Sequence, residues 1–169
     1  MPKPARLTES SEWIALDFVE RERTPRAIIE TGIRHHLAGL SLLNTVILLE
    51  ELGVNRSRAA VHNWVQKAGC KPADGGSPDR VAVDQKAIRT NDEQYWLYAA
   101  VDPQTNRILH SRLFPTYTIP IAREFLTELA EKHDVEDALF LVDDADDLIG
   151  GLRRENYSYR VEQHGFRNS

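Results

Sequence analysis

The spacing of apolar residues changes period once along this chain, at a short stretch rich in proline and glycine. That single change limits the folds open to it. Before the stretch, apolar residues recur at three and four positions, the period of helices buried on one face. Beyond it they alternate or run together, as strands do. The stretch itself, Lys71-Pro72-Ala73-Asp74-Gly75-Gly76-Ser77-Pro78-Asp79, holds two prolines and two glycines and reads as a linker. It predicts a polar N-terminal arm over 1–23, a helical domain over 24–70, and a second domain over 80–169.

Three helices are expected in the first of these domains. One follows Thr24-Pro25, with Thr24 as its cap and Pro25 in its first turn, and carries Ile29, Ile33 and Leu37 on one face before Gly39. The next starts at Ser41, with Leu42, Val46 and Leu49 on one stripe, and stops at Gly53. The last starts near Asn55 or Ser57, places Val61, Trp64, Val65 and Ala68 at i, i+3, i+4 and i+7, and ends at Gly69. That register makes Trp64 a core residue rather than one free to stack on a base.

The second domain reads as three strands, around Val81–Ile88, Tyr95–Val101 and Ile108–Phe114, the last two joined by turn residues Asp102 to Asn106. A helix over Ile119–His133, a buried strand over Ala138–Val142, a helix over Leu148–Arg154 and a strand over Tyr157–Val161 follow. The order β-β-β-α-β-α-β implies an α/β fold with a mixed sheet and helices against it.

Composition narrows the functional classes. The 169 residues are 41% hydrophobic and 28% charged, as globular chains are. No apolar run approaches the ~18–20 residues of a membrane span, and the N-terminus lacks a signal-peptide core. One cysteine, Cys70, precludes an internal disulfide and points to a reducing cytoplasm. Residues 1–79 are neutral, with 10 basic and 10 acidic side chains, while 80–169 hold 11 and 16. A uniformly basic nucleic-acid binder is excluded, but a local basic element beside an acidic site is not.

Two short helices joined across Leu52-Gly53-Val54 have the form of a helix-turn-helix. The second would enter the major groove of DNA and present Arg56, Arg58, His62, Asn63, Gln66 and Lys67. Arginine pairs bidentately with guanine, and Asn or Gln with adenine. Nothing acidic lies between Leu52 and Ala73 to repel phosphate. A solvated polar face is the competing reading.

The candidate chemistry rests on Asp84 and Asp143. Asp84 interrupts the apolar run Val81-Ala82-Val83, and Asp143 follows Leu139-Phe140-Leu141-Val142. A carboxylate at the end of a buried strand is costly to desolvate unless paired or bound to a cation. If the first and fourth strands are neighbours, the two converge and suit Mg²⁺ or Mn²⁺, which take oxygen ligands. Such ions activate a water or a 3′-hydroxyl in phosphoryl transfer. Strand-end aspartates also serve as caps and turn residues. Asp102, before Pro103, is read as a turn residue, and Asp144, Asp146 and Asp147 as a helix start. The six histidines have no metal-ligand spacing.

Leu40 to Lys67, Tyr95-Trp96-Leu97-Tyr98-Ala99-Ala100-Val101-Asp102, Ala138 to Asp143, and the ending His164 to Ser169 together resemble DDE transposases of the insertion-sequence-six family, in its haloarchaeal form. The resemblance covers nearly the whole chain. It implies a ribonuclease-H-like catalytic domain, incomplete at its C-terminus, that cuts and joins DNA with Mg²⁺ or Mn²⁺. It also implies the terminal inverted repeats of a mobile element as partner and a homo-oligomer at full length. Asp84 matches the first family aspartate and Asp143 the second. Gln85-Lys86 stands where an acidic residue usually follows the first, and the resemblance would put the catalytic glutamate just past Ser169, so the chain is expected to be inactive alone. Two other readings are a non-catalytic DNA-binding fragment that represses transposition, and a small metal-dependent nuclease whose site Asp144 or Asp146 completes.

Overall fold

The computed structural model describes residues 24–70, 76–90 and 93–162. The expected arm over 1–23, most of the linker (71–75) and the ending His164 to Ser169 lie outside the described residues. Among the described residues, five helices and five strands follow in the order α1 (Arg26–Leu37), α2 (Leu42–Glu51), α3 (Arg58–Ala68), β1 (Arg80–Arg89), β2 (Gln94–Asp102), β3 (Arg107–Phe114), α4 (Ile119–Lys132), β4 (Leu139–Val142), α5 (Asp146–Arg154) and β5 (Ser158–Val161). The expected succession of strands and helices is met.

The helix ends follow from local chemistry. Ser41 Oγ accepts the Asn44 N–H at 3.0 Å and Ser57 Oγ the Ala60 N–H at 3.1 Å, so each hydroxyl satisfies an amide that the first turn cannot. Gly69 closes α3 at φ 68°, in the left-handed region. Thr24 does not cap α1: Pro25 is the N-cap, and the buried Thr24 hydroxyl has no partner among the described residues. One residue too early, it does not reach the second and third helical amides. Helices α1–α3 enclose Ile29, Ile33, Leu49, Val61, Trp64 and Ala68, as their spacing predicted.

The strands form one mixed sheet in the order β3-β2-β1-β4-β5. β1 pairs antiparallel with β2 and parallel with β4; β2–β3 is antiparallel and β4–β5 parallel. Alternation along each strand gives the sheet two faces. Val81, Val83, Tyr98, Ala100, Phe140 and Val142 meet α4 and α5 in the main core. On the opposite face Ile88, Leu97 and Leu113 meet Leu40 and Leu48 of the helical segment. Among the described residues no helix is long and apolar enough to cross a membrane.

Candidate functional site

The two strand aspartates are brought together by the pairing of β1 with β4. Val83 is in register with Val142, so Asp84 and Asp143 follow at the next position of neighbouring parallel strands, whose axes lie ~4.8 Å apart. Both residues are half-buried. Asp84 Oδ1 accepts the Gln85 backbone N–H at 2.9 Å. Two carboxylates from adjacent strands are oxygen donors of the kind a hard divalent cation takes. Among the described residues, no group of three or more His, Cys, Asp or Glu is gathered as a metal site.

Asp84 alternates with Ile88 onto the face covered by α1 and α2. There it lines a cavity of about 260 Å³ with Arg34 and His35 of α1, Lys86, Leu97 and Ala99. Arg34 donates to the Asn106 carbonyl oxygen across the β2–β3 turn. Burial pushes its pKa down from the ordinary arginine value, and Glu30, one turn earlier, opposes that. His35 Nδ1 lies 2.8 Å from Ser111 Oγ. Burial, then the charges of Arg34 and Lys86, push the His35 pKa down to about 4, so the ring is neutral at pH 7. No local pattern announces this cavity, because α1 buries Ile29 and Ile33 against other helices while its next residues reach the sheet.

On the main-core side, a buried polar cluster lies beneath α5. Asp147, in the first turn of that helix, accepts from Gln85 Nε2 at 3.0 Å and from the Tyr98 hydroxyl at 2.6 Å. Burial first, and then the Asp147 hydrogen bond, raise the Tyr98 pKa above the ordinary phenol value. Asp146 and Asp147 do begin a helix, as their position predicted, but Asp147 points inward. Asp102 is the expected turn residue, with Oδ1 accepting the Gln104 N–H at 2.9 Å.

The candidate DNA-reading residues lie together. Arg58, His62, Asn63, Gln66 and Lys67 are exposed along α3, opposite Val61, Trp64 and Ala68. Arg56 precedes the helix, half-buried, and donates to the Asn55 carbonyl at 2.9 Å.

No protein-family model matches this chain, and no curated protein does. Among solved structures, a chain of the "CryoEM structure of simian T-cell lymphotropic virus intasome in complex with PP2A regulatory subunit B56 gamma" is similar, with a TM-score of 0.40 and 11% identity. The match covers 53% of this chain and 34% of that one, so the present chain spans about a third of its length. The fold is α/β with a mixed five-stranded sheet.

Proposed function

We propose that this chain is a transposase-type polypeptide of the insertion-sequence-six kind, with a helix-turn-helix over 24–70 that binds element ends and a ribonuclease-H-like sheet domain over 80–169. The reading is carried by the parallel register of β1 and β4, which sets Asp84 beside Asp143. The strand order β3-β2-β1-β4-β5 and the exposed polar face of α3 support it. Asp84 and Asp143 would hold Mg²⁺ or Mn²⁺, which when bound activates an attacking oxygen and stabilises the leaving one. The chain's own residues fix the spacing of the two carboxylates through strand pairing, and α3 holds the duplex.

A second reading, DNA binding without strand chemistry, is favoured by one observation: Arg34 and Lys86 line the same cavity as Asp84, and cationic neighbours oppose a divalent cation. Two measurements separate the readings. A gel shift with duplexes carrying terminal inverted repeats is expected at low salt and reduced in Arg56→Ala plus Arg58→Ala. Titration with Mn²⁺ is expected to give saturable binding that is lost in Asp84→Asn and in Asp143→Asn. No shift at low salt overturns DNA binding; Mn²⁺ affinity unchanged in both variants overturns the metal site and leaves the second reading.

A further inference from the structure

We propose that Asp147 is a positioning residue for the Asp84–Asp143 pair, holding in place the two backbone segments that present them; the proposal rests on the metal-site reading above. Asp147 is the second residue of α5, and only the non-helical stretch 144–145 and Asp146 separate it from Asp143, so the loop bearing Asp143 leads directly into it. Asp147 is 7% exposed, and each carboxylate oxygen receives one donor, Gln85 Nε2 at 3.0 Å and Tyr98 Oη at 2.6 Å. Hydrogen bonds to a carboxylate are about twice as strong as neutral ones, and a buried carboxylate without them is costly. The brace is therefore a strongly preferred arrangement.

Gln85 transmits it to Asp84. Its backbone N–H donates to Asp84 Oδ1 at 2.9 Å on one face of the sheet, while its side-chain amide is held by Asp147 on the other. Fixing the Gln85 side chain thus fixes the amide that orients the Asp84 carboxylate. Tyr98 is itself fully buried, with its ring against Phe114 and Phe125 at centroid distances of 5.2 and 5.6 Å. Helix α5 packs closely on α4: a Cβ at Gly151 would stand 3.0 Å from the Ala122 Cβ. One carboxylate thus links the central strand β1, which bears Asp84, its neighbour β2, and the turn that follows Asp143.

The test is Mn²⁺ affinity, measured by calorimetric titration of the full chain, with thermal unfolding recorded for each variant. Asp147→Asn is expected to weaken Mn²⁺ binding about tenfold to a hundredfold, as loss of a group orienting a metal ligand does. Tyr98→Phe, which keeps the ring packing and loses one donor, is expected to weaken it by a smaller factor. A purely structural role predicts a lower melting temperature with unchanged affinity, and that result in folded Asp147→Asn overturns the proposal. If Asp147→Asn does not fold, Tyr98→Phe decides: unchanged affinity overturns the brace. Asp84→Asn is the reference. If it too leaves Mn²⁺ affinity unchanged, the metal-site reading fails and the positioning role with it; if it abolishes binding while the brace variants do not weaken it, the positioning role alone fails.

Discussion

The Ser111 backbone N–H donates to the Ala38 carbonyl oxygen at 3.0 Å, and through this bond the end of α1 covers the outer edge of β3 at its middle. An uncovered edge strand offers unpaired amides to any other chain, and a helix end laid along it removes that hazard. The same carbonyl accepts from Lys132 Nζ at 2.7 Å and faces His110 Nδ1 at 3.2 Å. It lies at the negative end of the α1 dipole, where cations are favoured. The helical segment is thus docked by polar contacts at the β3 edge as well as by Leu40 and Leu48 on the sheet face.

Gly39 makes that docking possible. Its φ is 130°, and a Cβ there would meet the Ser111 carbonyl oxygen at 3.1 Å and the His110 ring at 3.2 Å. Gly39→Ala is expected to cost ~2–3 kcal/mol, from strained backbone and the displaced edge. Gly53 provides the control, with φ at 86° but nothing within 4 Å of the position a Cβ would take, so Gly53→Ala should cost only ~1 kcal/mol. Urea unfolding followed by tryptophan fluorescence reads both. Equal losses would show that close approach to β3 contributes nothing.

His35 gives stability a defined pH dependence. Its native pKa is pushed down to about 4 by burial and by Arg34 and Lys86, against 6.5 for the unfolded residue. Above pH 6.5 both states are neutral and the full stability is present. As pH falls below 6.5 only the unfolded chain takes up the proton, and stability is lost until about pH 4, where the native ring protonates too. At ~1.4 kcal/mol per pH unit, the loss between pH 7.5 and 5 is about 2 kcal/mol. His35→Gln removes the titration and should flatten that part of the profile. The comparison is the difference in unfolding free energy between wild type and variant at the two pH values; parallel profiles would rule out a neutral His35 ring in the native state.

Trp64 separates a core role from base stacking. It is 2% exposed and packed among Ile29, Ile33, Leu49 and Val61. Trp64→Ala should cost ~3–5 kcal/mol, whereas the exposed neighbour Asn63→Ala should stay within ~0.5 kcal/mol. Denaturant midpoints of the two variants check this, and a Trp64→Ala chain of native stability would contradict the packing.

Trp64 was legible because helical period is local: Val61, Trp64 and Ala68 declare one face without reference to the rest of the chain. Asp84 and Asp143 were legible singly, as carboxylates set into apolar strands, but their proximity depended on β4 pairing with β1, a contact between segments far apart in sequence. Asp147 was hidden for a different reason. An aspartate in a first helical turn satisfies the helix dipole wherever it points, and only the distant Gln85 and Tyr98 turn it inward. Arg34 and His35 were equally hidden, since the sheet face beneath α1 is formed by strands that begin more than forty residues later.

The polar face of α3 makes a prediction that depends on charge alone. Arg58 and Lys67 are exposed cations at opposite ends of the helix, and the sequence from Leu52 to Ala73 holds no acidic residue. If both meet phosphates, each releases bound counterions, and the logarithm of the DNA association constant falls with the logarithm of salt by ~0.9 per contact. Arg58→Ala plus Lys67→Ala should therefore reduce that slope by about 1.8 and weaken binding to all duplexes alike. Asn63→Ala plus Gln66→Ala should leave the slope unchanged and instead reduce discrimination between duplexes, because amide side chains read base edges. Fluorescence anisotropy over a range of salt concentrations, with two unrelated duplexes, measures slope and discrimination together. A slope untouched by loss of Arg58 and Lys67 would overturn the proposed role of α3 in DNA binding.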